Sequence, residues 1–478
     1  MYNYLREAVK NVPEKLAIQY KERMLNYREL DKIVKKLAGS INIDTDARYN
    51  IGIVCNNPLY FTVSLLAISY LGGVAVPIYA YTGKDRINEL IQFFSLEYLI
   101  VEKNCDSIIE FDNERIVFST FDMFIYHNKI NMANHTLENC ELILLTSGTT
   151  GVPKGIMLSK ENIRSNVNAI GNYLKLTQED KVLMVKNMNH SSSIVGELLV
   201  SLANTCTVVF NSKILTPQSL VNTIYNSGIT IFFAVPTILR DIVLKRDKLQ
   251  MEKMGELKVI NFYGAPMPVE DINILIDLLP NCNLIYSYGL TEASPRVTYI
   301  EKKDLVRKLG SSGKPIDNVK IRIKDNKINE IDEIIVDGPN VMLGYYNELE
   351  KTKRTVIDGE LYTGDFGYID EEGYLYVCGR KDNMMISAGK NIYPEEIEQV
   401  IQTVNGVKDV LVRGVPDDKG VEKLTAYLTI DENVELEKRL LFDVCKNKLE
   451  NYKVPSHFVF VKDLKKTTSG KILRKQNI

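Results

Sequence analysis

Over its first 380 residues the chain alternates between two hydrophobic periods, and that alternation limits the folds open to it. Short apolar runs (IGIVCN, VAVPIY, EYLIVE, ELILLT, TVVF, TIFFAV, LKVINFY and NLIYSYG) are separated by stretches patterned for amphipathic helices. Parallel strands cannot be joined by a tight turn and need a crossover, so strand and helix signals in alternation read as α/β. After Gly379 the pattern changes. VKDVLVRGV, KLTAYLTI and HFVFVKDL read as strands, and ELEKRLLFDVCKNKLENY reads as an amphipathic helix. The expected organisation is a large N-terminal α/β domain of layered sheets and helices over residues 1–379. A small α+β domain over 380–478 follows it, with the boundary at GRKDN.

One segment competes with this reading. From Tyr49 to Gly83 there is no charged residue, and LYFTVSLLAISYLGGVAVPIY has the ~20 residues a bilayer span needs. Gly72-Gly73 interrupts it, so a buried helix from Pro58 followed by a strand at Val74–Ile78 is expected, with no integral membrane segment. Lys plus Arg total 59 against 61 Asp plus Glu, a net charge of −2, which leaves no cationic surplus for a nucleic-acid backbone. The seven cysteines are scattered singly and form no C-x-x-C pair, and no two of the four histidines stand at helical metal-ligand spacing. The N-terminal MYNYLREAVKNVPEK lacks the apolar core of a signal peptide, so a reducing, cytoplasmic location is expected.

The densest chemistry lies in LILLTSGTTGVPKGIMLS, Leu142 to Ser159. Hydroxyls and glycines at Thr146, Ser147, Gly148, Thr149, Thr150 and Gly151 suit a loop whose N–H and O–H groups wrap phosphate oxygens, with Lys154 adding a mobile positive charge. A Walker loop would need Gly before the lysine and Ser or Thr after it, whereas Pro153 precedes Lys154 and Gly155 follows. Ile156-Met157-Leu158 continues as a strand. Ser159 is the expected N-cap of a helix with its apolar stripe at Ile163, Val167, Ile170 and Leu174.

T-S-G-T-T-G-x-P-K-G resembles the phosphate loop of the adenylate-forming family of acyl-CoA synthetases, aryl-acid ligases, carrier-protein adenylation domains and luciferases. The resemblance extends over nearly the whole chain. Tyr286–Glu292 (YSYGLTE), Leu361–Asp365 (LYTGD), Gly379–Asp382 (GRKD), Ser387–Ile392 (SAGKNI) and Thr468–Arg474 (TSGKILR) follow in the family's order.

The resemblance implies roles residue by residue. Glu292 would hold Mg²⁺, which keeps waters while bridging phosphates to one or two carboxylates. Thr291 would donate to the α-phosphate, Tyr288 beside Gly289 would stack on adenine, and Gly264-Ala265-Pro266 would form the second adenine wall. Asp365 would accept the ribose hydroxyls, and Arg380 would bond ribose or phosphate. Lys471 would serve adenylation from a mobile lid that pivots at Asp382. The loop holding Gly389 and Lys390 would serve the thiol step. Lys465 stands where the family usually has proline, which implies a less constrained approach to that lysine loop.

The acyl pocket is expected around His190, Ser191, Val195 and Tyr263. Amino-acid-activating members usually carry aspartate where His190 stands, and a buried ammonium without a carboxylate would cost on the order of 3 to 5 kcal/mol. His190 therefore points to an acyl or aryl carboxylate. The implied enzyme is an ATP-dependent acid–thiol ligase that forms acyl-AMP and pyrophosphate and then a thioester of coenzyme A. A carrier-protein phosphopantetheine is the alternative acceptor.

Overall fold

The computed structural model describes residues 1–41, 48–108, 115–127, 138–146, 154–324, 330–387, 390–416, 422–431, 434–466, 472–474 and 477. Every apolar run singled out above is a strand. A nine-stranded sheet has the order Lys314–Pro315, Thr298–Glu301, Asn283–Tyr288, Val259–Tyr263, Ile231–Ala234, Lys181–Met184, Thr207–Phe210, Leu16–Tyr20, Arg23–Asn26. Its six central strands run parallel and its edge pairings are antiparallel. An eight-stranded sheet is built around Cys140–Thr146, Val74–Pro77, Asn50–Val54 and Leu96–Glu102, also parallel at its centre.

Successive side chains on a strand point to opposite faces, and here both faces are covered. Val182, Val208, Ile231 and Phe233 of the nine-stranded sheet join an apolar cluster that also takes Ile51, Ile53 and Leu142 of the other sheet. Leu183, Val209, Phe232 and Ala234, one residue out of step, pack instead with Leu220, Leu239 and Leu275 from three helices. This two-sided burial is why the runs are nearly continuous in apolar residues.

The uncharged segment folds as a helix, Pro58–Tyr70, started by the Asn57 side chain, which accepts from the Leu59 and Tyr60 N–H groups. Residues from Leu59 through Ile68, Tyr60 excepted, are buried, so its hydrophobicity is spent on protein contacts. Among the described residues no helix is long and apolar enough to cross a membrane. The expected strand follows at Val74–Pro77.

A separate apolar cluster gathers Ile397, Ile401, Val410, Val412, Ala426, Leu428, Leu441 and Phe458 from the C-terminal part of the chain. The strands Val407–Pro416 and Glu422–Ile430 pair antiparallel there, and His457–Phe460 joins the second in parallel. The helix expected across 435–452 is shorter, Lys438–Lys448, because Leu449 turns to an extended conformation and packs against this core.

Candidate active site

Ser159 caps the helix Lys160–Leu174 as its sequence suggests: its hydroxyl accepts from the Asn162 N–H while the Asn162 side chain accepts from the Ser159 N–H. Such a reciprocal cap contributes about 1 kcal/mol. It holds the strand Lys154–Ser159 in register with Cys140–Thr146, so that Thr146 lies opposite Lys154 at the mouth of the hairpin. Burial, with the Lys351 ammonium nearby, holds the Lys154 ammonium below its ordinary range. Ser147, Gly148, Thr149, Thr150, Gly151, Gly389 and Lys471 lie outside the described residues.

The strand Asn283–Tyr288 delivers the next group. Immediately after it, Gly289 passes so close to the backbone that a β-carbon there would lie 1.8 Å from the Pro295 carbonyl oxygen. Only glycine permits this approach, which swings Thr291 and Glu292 into a single 3₁₀ turn, Thr291–Ala293. The Thr291 and Ser191 hydroxyls are 3.1 Å apart. Glu292 Oε1 accepts from the Tyr345 hydroxyl at 3.1 Å. Glu292 is the acidic side chain here that could hold a magnesium ion, which takes oxygen ligands. Among the described residues no group of three or more His, Cys, Asp or Glu side chains forms a cage for a metal.

Tyr288 comes together with Asp365 and Arg380, which lie on two consecutive strands far from it in sequence. Asp365 and Arg380 face each other on neighbouring antiparallel strands, Glu360–Ile369 and Leu375–Arg380. Arg380 Nε stands 3.1 Å from Asp365 Oδ1, and the Tyr288 hydroxyl donates to Asp365 Oδ2 at 2.6 Å. Burial and the Asp365 carboxylate push the Tyr288 hydroxyl well above its ordinary range, so it stays a donor. A carboxylate offers about four lone-pair sites, leaving two on Asp365 for the hydroxyls of a ribose. Gly264, with φ of +96°, turns the chain sharply after the strand Val259–Tyr263 and has open space where a side chain would stand. Ala265 and Pro266 follow it.

His190 is half-buried and starts the turn Ser191–Ser193, while Ser191, Val195 and Tyr263 are buried. Asp382 is exposed in the turn Lys381–Asn383. Lys390 lies on the strand Lys390–Ile392, paired with Met385–Ser387. Sequence reasoning gave no role to Lys186, Glu197, Arg296 and Tyr345, although it set Glu197 in the segment expected to form the acyl pocket. The first three meet at Tyr263: the Lys186 ammonium donates to the Tyr263 hydroxyl, which in turn donates to Glu197. Arg296 lies with its guanidinium carbon 3.6 Å from the centroid of the same ring. The one signal for Arg296 was a charge set between Pro295 and Val297 in a stretch otherwise lacking charge from Ala293 to Ile300.

The AMP-binding enzyme family profile matches residues 5–346, and that of the AMP-binding enzyme C-terminal domain matches 396–471. The chain is 28% identical to a 2-succinylbenzoate–CoA ligase of Bacillus mycoides (strain KBAB4), over 100% of this chain and 98% of that one. Its fold matches O-succinylbenzoate coenzyme A synthetase (MenE) from Bacillus subtilis in complex with AMP. The TM-score is 0.83 and the identity 26%, with 99% of this chain and 97% of that one covered. The same enzyme in complex with ATP and magnesium ion gives a TM-score of 0.83 at 25% identity, covering 99% of each chain. With the profile spanning the strand that ends at Tyr288 and the Thr291–Ala293 turn after it, the chain belongs to the AMP-binding enzyme family.

Proposed function

We propose that this protein is an AMP-forming acid–coenzyme A ligase working through the constellation just described. The observation that carries this reading is the convergence of Tyr288, Asp365 and Arg380 beside the Thr291–Glu292 turn. In the first step a carboxylate oxygen attacks the α-phosphorus of ATP. The bond to the β-phosphate breaks, pyrophosphate leaves and acyl-AMP remains. In the second step a thiol sulfur, having lost its proton, attacks the acyl carbon, the thioester forms and AMP leaves.

Each residue has a part in this scheme. Asp365 and Arg380 hold the ribose, Tyr288 and the Gly264-Ala265-Pro266 turn enclose adenine, and Thr291 and Lys154 bind phosphate. Glu292 would hold Mg²⁺, which supplies charge neutralisation between the phosphates when bound. Lys471 completes the adenylation geometry, and the Gly389-Lys390 loop serves the thiol. The boundary between the two domains falls at Gly379–Arg380, with Asp382 as the pivot. The relatives are named CoA ligases, which favours coenzyme A over a carrier protein as acceptor. Their named acid, 2-succinylbenzoate, heads the acids to try. A cytoplasmic location belongs to the same proposal, since the seven cysteines are free thiols.

The test supplies ATP, Mg²⁺, coenzyme A and a panel of acids, and follows AMP, pyrophosphate and free thiol. Acid-dependent formation of AMP and pyrophosphate with equal loss of thiol is expected. ADP and phosphate as products, or turnover independent of the acid, would refute it. In the same panel α-amino acids are expected to give the slowest exchange, because two cations, Lys186 and Arg296, stand around Tyr263 and would repel an ammonium.

Asp365→Ala is expected to weaken ATP binding about ten- to hundredfold, the worth of a carboxylate accepting two hydroxyls, roughly 1.5 to 3 kcal/mol. Both half-reactions should slow, because the adenylate's ribose is held in each. Calorimetry with unchanged nucleotide affinity in a folded variant would remove Asp365 from the site.

A further inference from the structure

The chain that follows the strand Gly344–Tyr345 runs beside the phosphate hairpin and carries a lysine that belongs to none of the motifs. Tyr345 stands opposite Ile156 in an antiparallel pairing, and the Tyr346 N–H donates to the Gly155 carbonyl at 2.7 Å. The next residue toward the hairpin mouth is Lys154, so the exit from Tyr346 passes that mouth. The short helix Leu349–Thr355 begins there. It is fastened back onto the strand, because the Thr352 hydroxyl accepts from the Tyr345 N–H at 2.9 Å and donates to the Glu348 carbonyl at 3.0 Å.

This docking places Lys351 at the site. Its ammonium stands 4.2 Å from the centroid of the Tyr345 ring, whose hydroxyl is the one that donates to Glu292. It also lies 2.9 Å from Glu348 Oε2, with the two side chains 27% and 30% exposed. Burial and then the Lys351 ammonium hold that of Lys154 below its ordinary range, so two cations stand side by side at the hairpin mouth. Like charges gather at a cost unless an anion faces both. With Glu292 given to Mg²⁺, Glu348 is left facing two ammonium groups. The other lysine of this helix is different: Lys353 pairs with Glu350 at 3.1 Å, both side chains standing mostly in water at 61% and 75% exposed. From Tyr288 and Asp365 the Thr291–Glu292 turn leads to Tyr345 and so to Lys351, which puts this lysine beyond the α-phosphate.

We propose that Lys351 binds the β- and γ-phosphates of ATP together with Lys154, and holds the same oxygens on pyrophosphate as it leaves. An ammonium is a compact charge with three rotatable donors, suited to phosphate oxygens that shift during the displacement. Glu348 keeps the side chain in place before the nucleotide arrives, and the Tyr345 ring beneath it limits where it can turn. This inference rests on the ligase reading for the identity of the anion, and the experiment separates the two.

Calorimetry on the full-length protein with Mg²⁺ and no acid, so that nothing turns over, compares ATP, inorganic pyrophosphate and AMP. Lys351→Gln is expected to weaken ATP and pyrophosphate about tenfold and to change AMP less than about twofold, the worth of one charge-assisted hydrogen bond at a partly exposed position. Lys351→Arg should retain most of the ATP affinity. Lys353→Gln, which removes an equal charge from the same helix, should leave all three ligands as they were. Equal loss for ATP and AMP would assign Lys351 to packing on Tyr345 and overturn the proposal, as would an equal effect of Lys353→Gln. A reading on the wild type needs no variant to fold: acetylation of the Lys351 amine, followed by peptide mass spectrometry, should be slowed by ATP and pyrophosphate and not by AMP. Protection by AMP as strong as that by ATP would also overturn it. If ATP is preferred over AMP in a Lys351-dependent way but no acid yields AMP and pyrophosphate, the phosphate contact stands and the ligase reading falls. If acids turn over while Lys351→Gln binds ATP like the wild type, the ligase reading stands and the contact falls.

Discussion

Lys471→Ala is expected to slow acyl-AMP formation by a few hundredfold while leaving thioester formation from supplied acyl-AMP near the wild-type rate. The loss corresponds to ~3 to 4 kcal/mol, the worth of a charge-assisted contact at a phosphoryl-transfer centre. The asymmetry comes from where the lysine is carried. On either side of residues 467–471 the chain is fastened to the C-terminal domain: Lys466 pairs with Ile472 in an antiparallel bridge. The Asn477 carboxamide accepts from the Lys465 N–H at 2.6 Å and donates to the Lys465 and Leu473 carbonyls at 2.9 Å each. Arg474 adds a 2.5 Å bond to Glu398 and a 3.2 Å bond to the Val412 carbonyl. The described residues on both sides are thus tied to that domain, and in the proposed mechanism a pivot at Asp382 would present Lys471 for one half-reaction and withdraw it for the other. The measurement is a quenched-flow comparison with ATP in one arm and synthetic acyl-AMP in the other. Equal damage in both arms of a folded variant would mean that this lysine does not alternate.

Gly289→Ala is expected to cost more than about a hundredfold in adenylation, through geometry alone. Its new methyl group would fall 1.8 Å from the Pro295 carbonyl oxygen, 2.8 Å from that carbonyl carbon and 2.9 Å from the Arg296 Cα. These are backbone atoms, which cannot rotate away. Relief requires moving either the Thr291–Ala293 turn or the segment at Arg296. Overpacking of this kind usually costs about 1 to 3 kcal/mol and more where backbone must shift. Both displacements act on the site, so activity should fall even where thermal melting shows that the variant still folds. Near-wild-type adenylation by Gly289→Ala would show that the turn does not depend on this close approach.

The strands of both large sheets were legible because two-sided burial demands apolar residues at nearly every position of runs such as Ile231–Ala234 and Thr207–Phe210. The helix at Pro58–Tyr70 was legible for the same reason, with Gly72 at φ +75° breaking it before membrane length. Its surroundings were not. A stretch without charge is compatible with lipid or with protein, and only the packing of Phe61, Leu65 and Ile68 into the core decides between them. The C-terminal helix came out shorter than its pattern, since periodicity does not record where Leu449 leaves the helix for the core.

The residues proposed to hold the nucleotide stand in short local motifs whose glycines and hydroxyls have few other uses. Asp365 and Arg380 could be named from sequence because each sits in such a motif, but their mutual pairing follows from strand register, which places them opposite each other. The cluster around Tyr263 was different in kind. Lys186, Glu197, Tyr263 and Arg296 come from four segments, and nothing in any one of them announces a shared charge cluster. Sequence alone determined the α/β class, the order of the motifs and the chemistry they serve, because hydrophobic period and loop composition are local properties. Tertiary structure alone decided which charges meet around Tyr263, because burial and pairing are set by residues that are distant along the chain.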